Sequence, residues 1–191
     1  MRNLRSAIRY SAVTAACILL SALHLAAKSN EGFVVKSDSF KNGELLSLES
    51  VYSGFGCEGK NLSPQLSWSG FPEATKSFIV TIYDPDAPTG SGWWHWTVFN
   101  LPSSVTSLEE GIGKGAILPK RAIQGRSDYG ENAFGGACPP EGDGWHRYIV
   151  TVYAMPTETL PIDANASGAL VGYFAQNQSI AKAQITAFYG R

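Results

Sequence analysis

Residues 77–101 read SFIVTIYDPDAPTGSGWWHWTVFNL. The segment from Ser77 to Tyr83 consists mostly of β-branched and aromatic residues, which favour a β-strand. Pro85 and Pro88 then end the strand and hold the following loop rigid, because proline has a fixed φ and no backbone N–H to donate to a sheet. Trp96 to Leu101 has a similar strand-forming composition. The stretch therefore predicts two strands joined by a rigid loop that carries aspartates.

The rest of the chain also favours strands. Short strands are predicted at Phe33–Val35, Leu45–Leu48, Gln65–Trp68, Tyr148–Ala154 and Ala183–Tyr189. Helical signals are weak: residues 165–171 could open a helix behind an Asn or Ser cap, and Gln178–Lys182 could form a second short turn. Residues 111–136 form a glycine-rich stretch that is long for a loop, and such loops are often functional. The pattern predicts a mostly β, sandwich-like domain with a few short helices.

The N-terminus has the features of a secretory signal peptide. Arginines precede an uncharged run of mostly apolar or small residues at 11–27. We predict a signal peptide at residues 1–27, with cleavage at about 27–29, and a single domain at 30–191. The alternative is an uncleaved N-terminal anchor, although the run is short for a membrane span, which needs roughly 20 apolar residues. Cleavage predicts a periplasmic or secreted protein without a stable membrane span.

Composition and charge argue against some classes of function. With 44% hydrophobic and 16% charged residues, the chain is not of the disordered class. Its net charge is −1, and no cluster of Lys or Arg beyond the N-terminus could follow a phosphate backbone. We therefore do not expect a nucleic acid as a partner.

The three cysteines point to one disulfide. Cys17 would leave with the signal peptide, so Cys57 and Cys138 would remain as a pair in an oxidising compartment. Two buried free thiols are the alternative. A catalytic role for Cys138 is not expected, because prolines follow it where the start of a helix would activate a thiol.

Two carboxylates follow the strongest predicted strand. Asp84 and Asp86 could act as an acid–base pair or as metal ligands. In another arrangement, one of them points inward to hold a histidine while the other makes turn hydrogen bonds. A simple Asx-turn at the strand end is the ordinary alternative, since Asp favours such turns.

Two histidines and a tyrosine are the other candidates for a site. His95 lies among tryptophans and could be either a packed core residue or part of a binding site. His146 and Tyr148 should face the same side of a strand, with Arg147 on the other side in a structural role or paired with an acid. The surrounding tryptophans and prolines would form rigid apolar walls, which is typical of a ligand pocket.

Catalytic chemistry has less support in the sequence. Two histidines and an aspartate could bind zinc, but the sequence lacks a helical His-x-x-x-His spacing. It also lacks a Gly-x-Ser-x-Gly elbow, a phosphate-binding loop and a dinucleotide fingerprint. We therefore expect a non-enzymatic binding protein without catalytic residues, metal or cofactor. The alternative is a metal-dependent or acid–base hydrolase that uses Asp84, His95 and His146.

Several motifs closely resemble those of the phosphatidylethanolamine-binding protein family, also called Raf kinase inhibitor proteins. These motifs are Asp84–Pro88, His95, His146–Tyr148 and the upstream segment Asn61–Trp68 (NLSPQLSW). Residues 84–100 and the segment Gly135–Pro140 (GGACPP) resemble the bacterial YbhB/YbcL-like branch. The similarity covers essentially the whole chain after the predicted signal peptide. The leader and the cysteine pair resemble exported members of that branch.

The resemblance implies both a fold and a site. The fold is a central antiparallel β-sheet packed on a smaller sheet, with a few short peripheral helices. The site is a small surface cavity for phosphate, acetate or phosphorylethanolamine-like anions. The residues implied in ligand binding are Asp84, His95, His146 and Tyr148, together with backbone groups of Ala137 and Cys138; those implied in supporting the cavity are Asp86, Trp93, Pro139 and Pro140. The resemblance further suggests a protein partner, such as a kinase or a peptidase, and a homodimer.

The implied cavity raises an electrostatic question. His95 and His146 would donate N–H bonds to an anion and become cationic at mildly acidic pH, and Tyr148 would donate its O–H. Asp84 would repel an anion unless it orients a histidine or accepts a hydrogen bond from the ligand. We therefore expect a preference for a monoprotonated phosphate or a zwitterion, with an affinity that falls as the pH rises.

Overall fold

The computed structural model describes residues 32–113 and 117–191. The predicted signal peptide, its cleavage site and Cys17 lie outside these residues. The described elements are, in chain order, β1 (Val34–Lys36), a 3₁₀ turn (Leu48–Ser50), β2 (Ser53–Gly54), β3 (Cys57–Glu58), β4 (Leu66–Ser69), β5 (Ser77–Asp84), β6 (Trp93–Pro102), β7 (Ser107–Leu108), β8 (Ile123–Gln124), β9 (His146–Met155), α1 (Gly168–Gln178) and β10 (Ala181–Tyr189). Within the described ranges, no helix combines the length and apolar character that a membrane span requires.

Five strands form the central antiparallel sheet, in the order β10-β9-β5-β6-β8. The strands β1, β4 and β7 form a smaller antiparallel sheet, and β2 pairs with β3 as a separate hairpin. The predicted mostly β fold, with a central sheet packed on a smaller one, is confirmed.

The core covers both faces of the central sheet, because side chains alternate between the faces along each strand. Phe78 of β5 belongs to the buried cluster that contains Leu66 and Trp68 of the smaller sheet. Ile79, the next residue along β5, belongs instead to the cluster that contains Val171 of α1. The smaller sheet and the helix therefore cover opposite faces, which explains why β5 is apolar along most of its length.

Several predicted elements are confirmed with small shifts in their bounds. β5 runs one residue further than predicted and ends at Asp84. β6 begins at Trp93 rather than at Trp96, and β9 begins at His146, so that His146 and Tyr148 lie on one strand as predicted. The helix signal is also confirmed: the Ser167 hydroxyl accepts a hydrogen bond from the backbone N–H of Leu170 and caps α1.

Two local predictions are wrong. The segment that starts at Leu45 is not a strand: Leu45 makes one isolated bridge, and the 3₁₀ turn begins at Leu48. These two leucines are 58% and 62% exposed, and only Leu46 between them packs against the core. The turn predicted at Gln178–Lys182 is divided between the end of α1 and the start of β10 at Ala181. Continuous pairing of β10 with β9 outweighs the weak local signal there.

A disulfide joins Cys57, the first residue of β3, to Cys138 and confirms the predicted pairing. The two cysteines are 81 positions apart in the sequence. The bond therefore ties the β2–β3 hairpin to the segment that precedes β9.

Candidate functional site

A cavity of about 200 Å³ opens at one end of the central sheet. Because β5 is antiparallel to both β6 and β9, its last residues lie beside the first residues of both neighbours. The sheet thus brings Asp84 of β5, Trp93 and His95 of β6, and His146 and Tyr148 of β9 to the same cavity. The disulfide-linked segment adds Cys138, Pro139 and Pro140 to its wall.

Asp84 is buried at the base of this arrangement, and both of its carboxylate oxygens are occupied. Oδ1 accepts the backbone N–H groups of Asp86 and Ala87 at 2.8 and 3.1 Å, which is an Asx-turn. Oδ2 lies 2.7 Å from Nδ1 of His146. One carboxylate therefore makes the turn and also holds the histidine, two roles that the sequence analysis had divided between Asp84 and Asp86.

His146 lies between two carboxylates. Its Nδ1 faces Asp84, and its Nε2 lies 3.2 Å from Oδ2 of Asp143. Burial acts to lower the pKa of His146, but the hydrogen bonds and negative charges of Asp84 and Asp143 outweigh it and raise that pKa above its ordinary value. His146 therefore keeps its positive charge to a higher pH than an unperturbed histidine does.

Asp86 holds the loop that follows β5 by bonding to Arg147 of β9. Its carboxylate accepts two hydrogen bonds from the Arg147 guanidinium, from Nε at 2.8 Å and from Nη2 at 2.6 Å, and a third from the Arg147 backbone N–H at 2.9 Å. The hydrogen bond from Arg147 lowers the pKa of Asp86. The predicted alternation is confirmed, since Arg147 is exposed while His146 and Tyr148 on either side of it are buried.

His95 presents an acceptor where a donor was expected. Its Nδ1 lies 2.7 Å from the carbonyl oxygen of Gly135. Because a carbonyl only accepts hydrogen bonds, Nδ1 carries the hydrogen, and Nε2 of the neutral ring is left with a lone pair. Burial lowers the pKa of His95, so the ring stays neutral to a lower pH than an ordinary histidine.

Unpartnered polar atoms concentrate at this cavity. In the described part of the chain, five buried side-chain nitrogen or oxygen atoms have no hydrogen-bond partner. Three of them belong to cavity-lining side chains: Nε1 of Trp93, Nε2 of His95 and the hydroxyl of Tyr148. An unsatisfied buried group costs about 1–3 kcal/mol, so such a cluster indicates a site that a polar ligand would complete.

An aromatic wall closes one side of the cavity. The Tyr129 ring lies 5.2 Å from that of Trp93 and 5.8 Å from that of His95, and it stacks on Tyr52 at 4.1 Å. Its hydroxyl donates to the carbonyl oxygen of Gly136 at 2.8 Å, which fixes the ring in place. Burial raises the pKa of the Tyr129 phenol, as it does for Tyr148, so both hydroxyls stay protonated at neutral pH.

The β2–β3 hairpin and the side chain of Arg191, here called the Arg191 clamp, hold the mouth of the cavity. Phe55, between β2 and β3, lines the mouth and is 71% exposed. The Arg191 guanidinium donates to the carbonyl oxygens of Phe55, Gly56 and Pro139. Together with the disulfide, these bonds connect the two sides of the opening.

Ala137 was expected to border the ligand, but it does not line the cavity. Its backbone N–H donates to the carbonyl of Ser50 at 3.0 Å, and its carbonyl accepts the N–H of Tyr52 at 2.9 Å. Its N–H and one lone pair of its carbonyl oxygen are therefore used in a contact behind the wall. Cys138, the next residue, does line the cavity.

The histidines and carboxylates do not form a metal-binding cluster. Within residues 32–113 and 117–191, no group of three or more His, Cys, Asp or Glu side chains is arranged to hold a metal ion. One reason is local: the Nδ1 atoms of His95 and His146 are turned to a backbone carbonyl and to Asp84, respectively.

Comparison with known proteins identifies the family. Residues 36–190 match the family described as "Phosphatidylethanolamine-binding protein". The chain belongs to this family. The bacterial branch is confirmed as well. The protein is 58% identical to the UPF0098 protein YbcL of Escherichia coli over 159 residues, which cover 82% of this chain and 87% of YbcL. It is 47% identical to YbhB of the same organism over 154 residues, covering 80% and 97% of the two chains.

Solved structures of family members share the fold. The crystal structure of E. coli YbcL, described as a new member of the mammalian PEBP family, superposes with a TM-score of 0.81 at 57% identity, covering 83% of this chain and 98% of that one. A phosphatidylethanolamine-binding protein homologue from Chlamydia trachomatis gives 0.69 at 27% identity, covering 84% and 98%. Members of the family are generally binding proteins, and the names of these bacterial relatives state no enzymatic activity.

The cavity also has lining residues that were not named as site residues from the sequence: three lie in the loop after Asp84, and two come from distant segments. Besides the predicted residues, the cavity is lined by Phe55, Ala87, Pro88, Thr89 and Tyr129. Tyr129 lies in the long glycine-rich stretch at residues 111–136, and nothing in the composition of that stretch marks this residue. Phe55 follows from the disulfide, because a bond at Cys57 brings the hairpin to Cys138.

Proposed function

We propose that the protein is a non-enzymatic binding protein for a small oxyanion that carries one proton, such as a monoprotonated phosphate or a phosphate ester of the headgroup type. The observation that carries the proposal is the set of unpartnered atoms on Trp93, His95 and Tyr148. The indole N–H of Trp93 and the phenol O–H of Tyr148 can donate hydrogen bonds to ligand oxygens. Nε2 of neutral His95 can accept a hydrogen bond from an O–H group of the ligand. A fully deprotonated anion would leave that acceptor unsatisfied.

The size and charge of the cavity support a ligand of this kind. A volume of about 200 Å³ equals several water molecules at about 30 Å³ each, enough for a phosphate with a short substituent. Asp84 does not face an anion as a bare charge, because its oxygens are bonded to the backbone and to His146. While His146 holds its proton, the two form a pair without net charge.

The affinity for the anion should fall as the pH rises. The direction of this change follows from the titration of two groups, the ligand phosphate and His146. A phosphate monoester loses its second proton near pH ~6, and with it the hydrogen that His95 would accept. His146, whose pKa is raised, loses its charge only above its ordinary range and then leaves Asp84 uncompensated. His95, whose pKa is lowered, stays a neutral acceptor over the same interval.

Calorimetry with matched anions tests this function. Phosphoethanolamine should bind at pH 6 and bind more weakly at pH 8, because its phosphate group loses its last proton near pH ~6. Inorganic phosphate keeps one proton over this interval, so its affinity should fall less, through the loss of charge on His146 alone. Sulfate, a tetrahedral oxyanion without a proton, should bind at least about tenfold more weakly than phosphate at pH 6, because one buried acceptor stays unpaired. Equal affinity for sulfate and phosphate would contradict the proposal.

A matched pair of tyrosine variants locates the site. Tyr148→Phe removes a hydroxyl at the cavity and should weaken phosphate binding about tenfold or more, the usual loss for a hydrogen bond to a charged group. Tyr153→Phe removes a hydroxyl that accepts a hydrogen bond from Gln176 of α1, away from the cavity, and should leave affinity unchanged. The same loss in both variants would show that the ligand binds elsewhere or that the effect is on folding.

We also propose that the protein is exported to the periplasm or beyond. The leader pattern at residues 1–27 supports this, and so does the Cys57–Cys138 disulfide, since disulfides persist in oxidising compartments. Fractionation and N-terminal sequencing provide the test. A mature terminus near residue 28 in the periplasmic or external fraction is expected, and a cytosolic protein that retains Met1 would contradict export.

A protein partner, such as a kinase or a peptidase, and a homodimer complete the proposal. Exposed Phe55 at the mouth of the cavity supports an apolar contact at this place. Native mass spectrometry of protein purified from its own compartment would report both features. A monomer without any co-purified protein would count against them.

A further inference from the structure

The geometry around His146 fits a doubly protonated ring. Carboxylate oxygens of Asp84 and Asp143 lie 2.7 and 3.2 Å from its two ring nitrogens. An ionised carboxylate only accepts hydrogen bonds, so both nitrogens must carry hydrogen to satisfy both contacts. A neutral ring would turn one lone pair toward a negative oxygen. The arrangement therefore fits an imidazolium.

The two carboxylates differ in their surroundings. The side chains of Asp84 and His146 are each only 3% exposed, whereas that of Asp143 is 41% exposed. Asp143 lies in the exposed loop before β9, between Gly142 and Gly144, which have positive φ angles of 80° and 91°. Asp84 is built into the fold by its Asx-turn, while Asp143 reaches His146 from solvent and does not line the cavity.

Other titratable or charged groups surround His146 on the neighbouring elements. They are His95 on β6, Tyr129 in the long loop, Tyr148 on β9, Tyr189 opposite His146 on β10, and the Asp86–Arg147 ion pair. Arg147 is bonded to Asp86, and the two cavity tyrosines stay protonated at neutral pH. Among the described contacts, the imidazole nitrogens of His146 donate hydrogen bonds to Asp84 and Asp143 alone.

We propose that Asp143 is a positioning residue that holds His146 in its cationic form and thereby extends anion binding in the cavity to neutral pH. The inference rests on the proposed function, because it concerns the affinity of the same cavity. Asp84 alone would pair with His146, but one carboxylate orients only one ring nitrogen. Asp143 orients the other and adds a second negative charge, so the cation that offsets Asp84 persists while an anion is bound nearby.

The test compares Asp143→Asn with Glu141→Gln. The first change removes the charge but keeps an oxygen that can accept from Nε2; the second removes the same charge from an exposed residue two positions away that has no described contact with His146. Two quantities are measured in each protein: the NMR titration of the His146 ring without ligand, and the affinity for inorganic phosphate by calorimetry from pH 5.5 to 8.5. The titration of phosphate itself is common to all proteins and cancels in the comparison.

Asp143→Asn should lower the titration midpoint of His146 and shift the decline of phosphate affinity to lower pH by the same amount. Affinity at pH 5.5, where His146 is charged in both proteins, should change less than about twofold, and at pH 8 it should be about threefold weaker. Glu141→Gln should match the wild type in both measurements.

Negative results of these measurements would distinguish a failure of the role proposed for Asp143 from a failure of the proposed function. If Asp143→Asn behaves as Glu141→Gln does, or binds phosphate more tightly at pH 8, the inference is overturned while the proposed function stands. The second of these results would show that Asp143 repels the ligand. If the wild-type protein gives no phosphate heat at any pH, the proposed function and this inference fall together.

Discussion

At the scale of single residues, the site depends on one buried carboxylate with several bonds. Asp84 ends β5, closes the turn into the proline-rich loop and holds His146. A buried charge is costly unless it is paired and hydrogen-bonded, and here three donors meet this requirement. His95 differs from Asp84 in that one of its polar atoms, Nε2, has no hydrogen-bond partner among the described residues. The buried carboxylate is thus satisfied within the protein, whereas Nε2 of His95 has no such partner.

Replacing Asp84 by Asn should destabilise the fold in a pH-dependent way. Removing one partner of a buried pair costs about 3–5 kcal/mol. Because the folded pKa of His146 is raised, the pair's contribution is complete below the unfolded value of about 6.5 and is lost as the pH rises through the folded pKa. Urea unfolding should therefore show a larger loss of stability at pH 6 than at pH 9.

The control for this change is Asp38→Asn, which removes a charge from an exposed side chain. It should alter the free energy of unfolding by less than about 0.5 kcal/mol at either pH. If Asp84→Asn gave the same loss at pH 6 and pH 9, the pairing with a charged His146 would be contradicted.

At the scale of elements, β6 and α1 organise the two faces of the sheet. Adjacent tryptophans at the start of β6 face opposite sides: Trp93 lines the cavity, while Trp94 lies against α1. The helix approaches closely because Gly168 and Gly172, one turn apart, both lie on the Trp94 ring. A Cβ atom at these positions would come within 2.2 and 2.7 Å of its ring carbons. The two glycines therefore set the distance between the helix and the sheet.

Gly168→Ala should destabilise the protein although alanine is the better helix former. Overpacking costs typically about 1–3 kcal/mol, which exceeds the helix-propensity gain of at most about 1 kcal/mol. Thermal or urea unfolding would measure the loss. Gly32→Ala is the control, because a Cβ there meets nothing within 4 Å. Equal stability of the two variants would contradict the close contact.

At the scale of the whole molecule, the cavity joins segments that are far apart in the chain. The central sheet supplies one side, and the β2–β3 hairpin reaches the other through the Cys57–Cys138 disulfide and the Arg191 clamp. The same bond therefore restricts the unfolded chain and shapes the mouth of the cavity.

Loss of the disulfide should affect both stability and binding. A loop of 81 positions corresponds to about 4 kcal/mol if the bond acts by restricting the unfolded chain. The Cys57→Ser/Cys138→Ser variant should unfold at lower urea and bind phosphate more weakly, because Phe55 and residue 138 line the mouth. Reductant should reproduce this effect in the wild type and add nothing in the variant. Unchanged unfolding after complete reduction would contradict the prediction.

Part of the site could be predicted from the sequence because the patterns that indicate it lie within short stretches of the chain. The period of a strand places His146 and Tyr148 on one face and Arg147 on the other, and the structure agrees. The apolar composition of β5 and the prolines after it predicted where the strand ends and the loop begins. Leu45–Leu48 had a similarly apolar composition, yet it makes one isolated bridge to Phe188 before the 3₁₀ turn begins at Leu48, and two of its three leucines stay exposed.

The sequence by itself determined the strand-rich fold, the order of the motifs and the pairing of the cysteines, since these depend on composition, period and chemical type. Only the tertiary structure decided that Asp84 binds Nδ1 of His146 and that Asp143 binds Nε2 of the same ring. It also decided that the bond to Gly135 leaves Nε2 of His95 as an acceptor. Tyr129 and Phe55 joined the cavity in the same way. The physical reason is that hydrogen-bond direction and burial depend on distances between segments that no local pattern encodes.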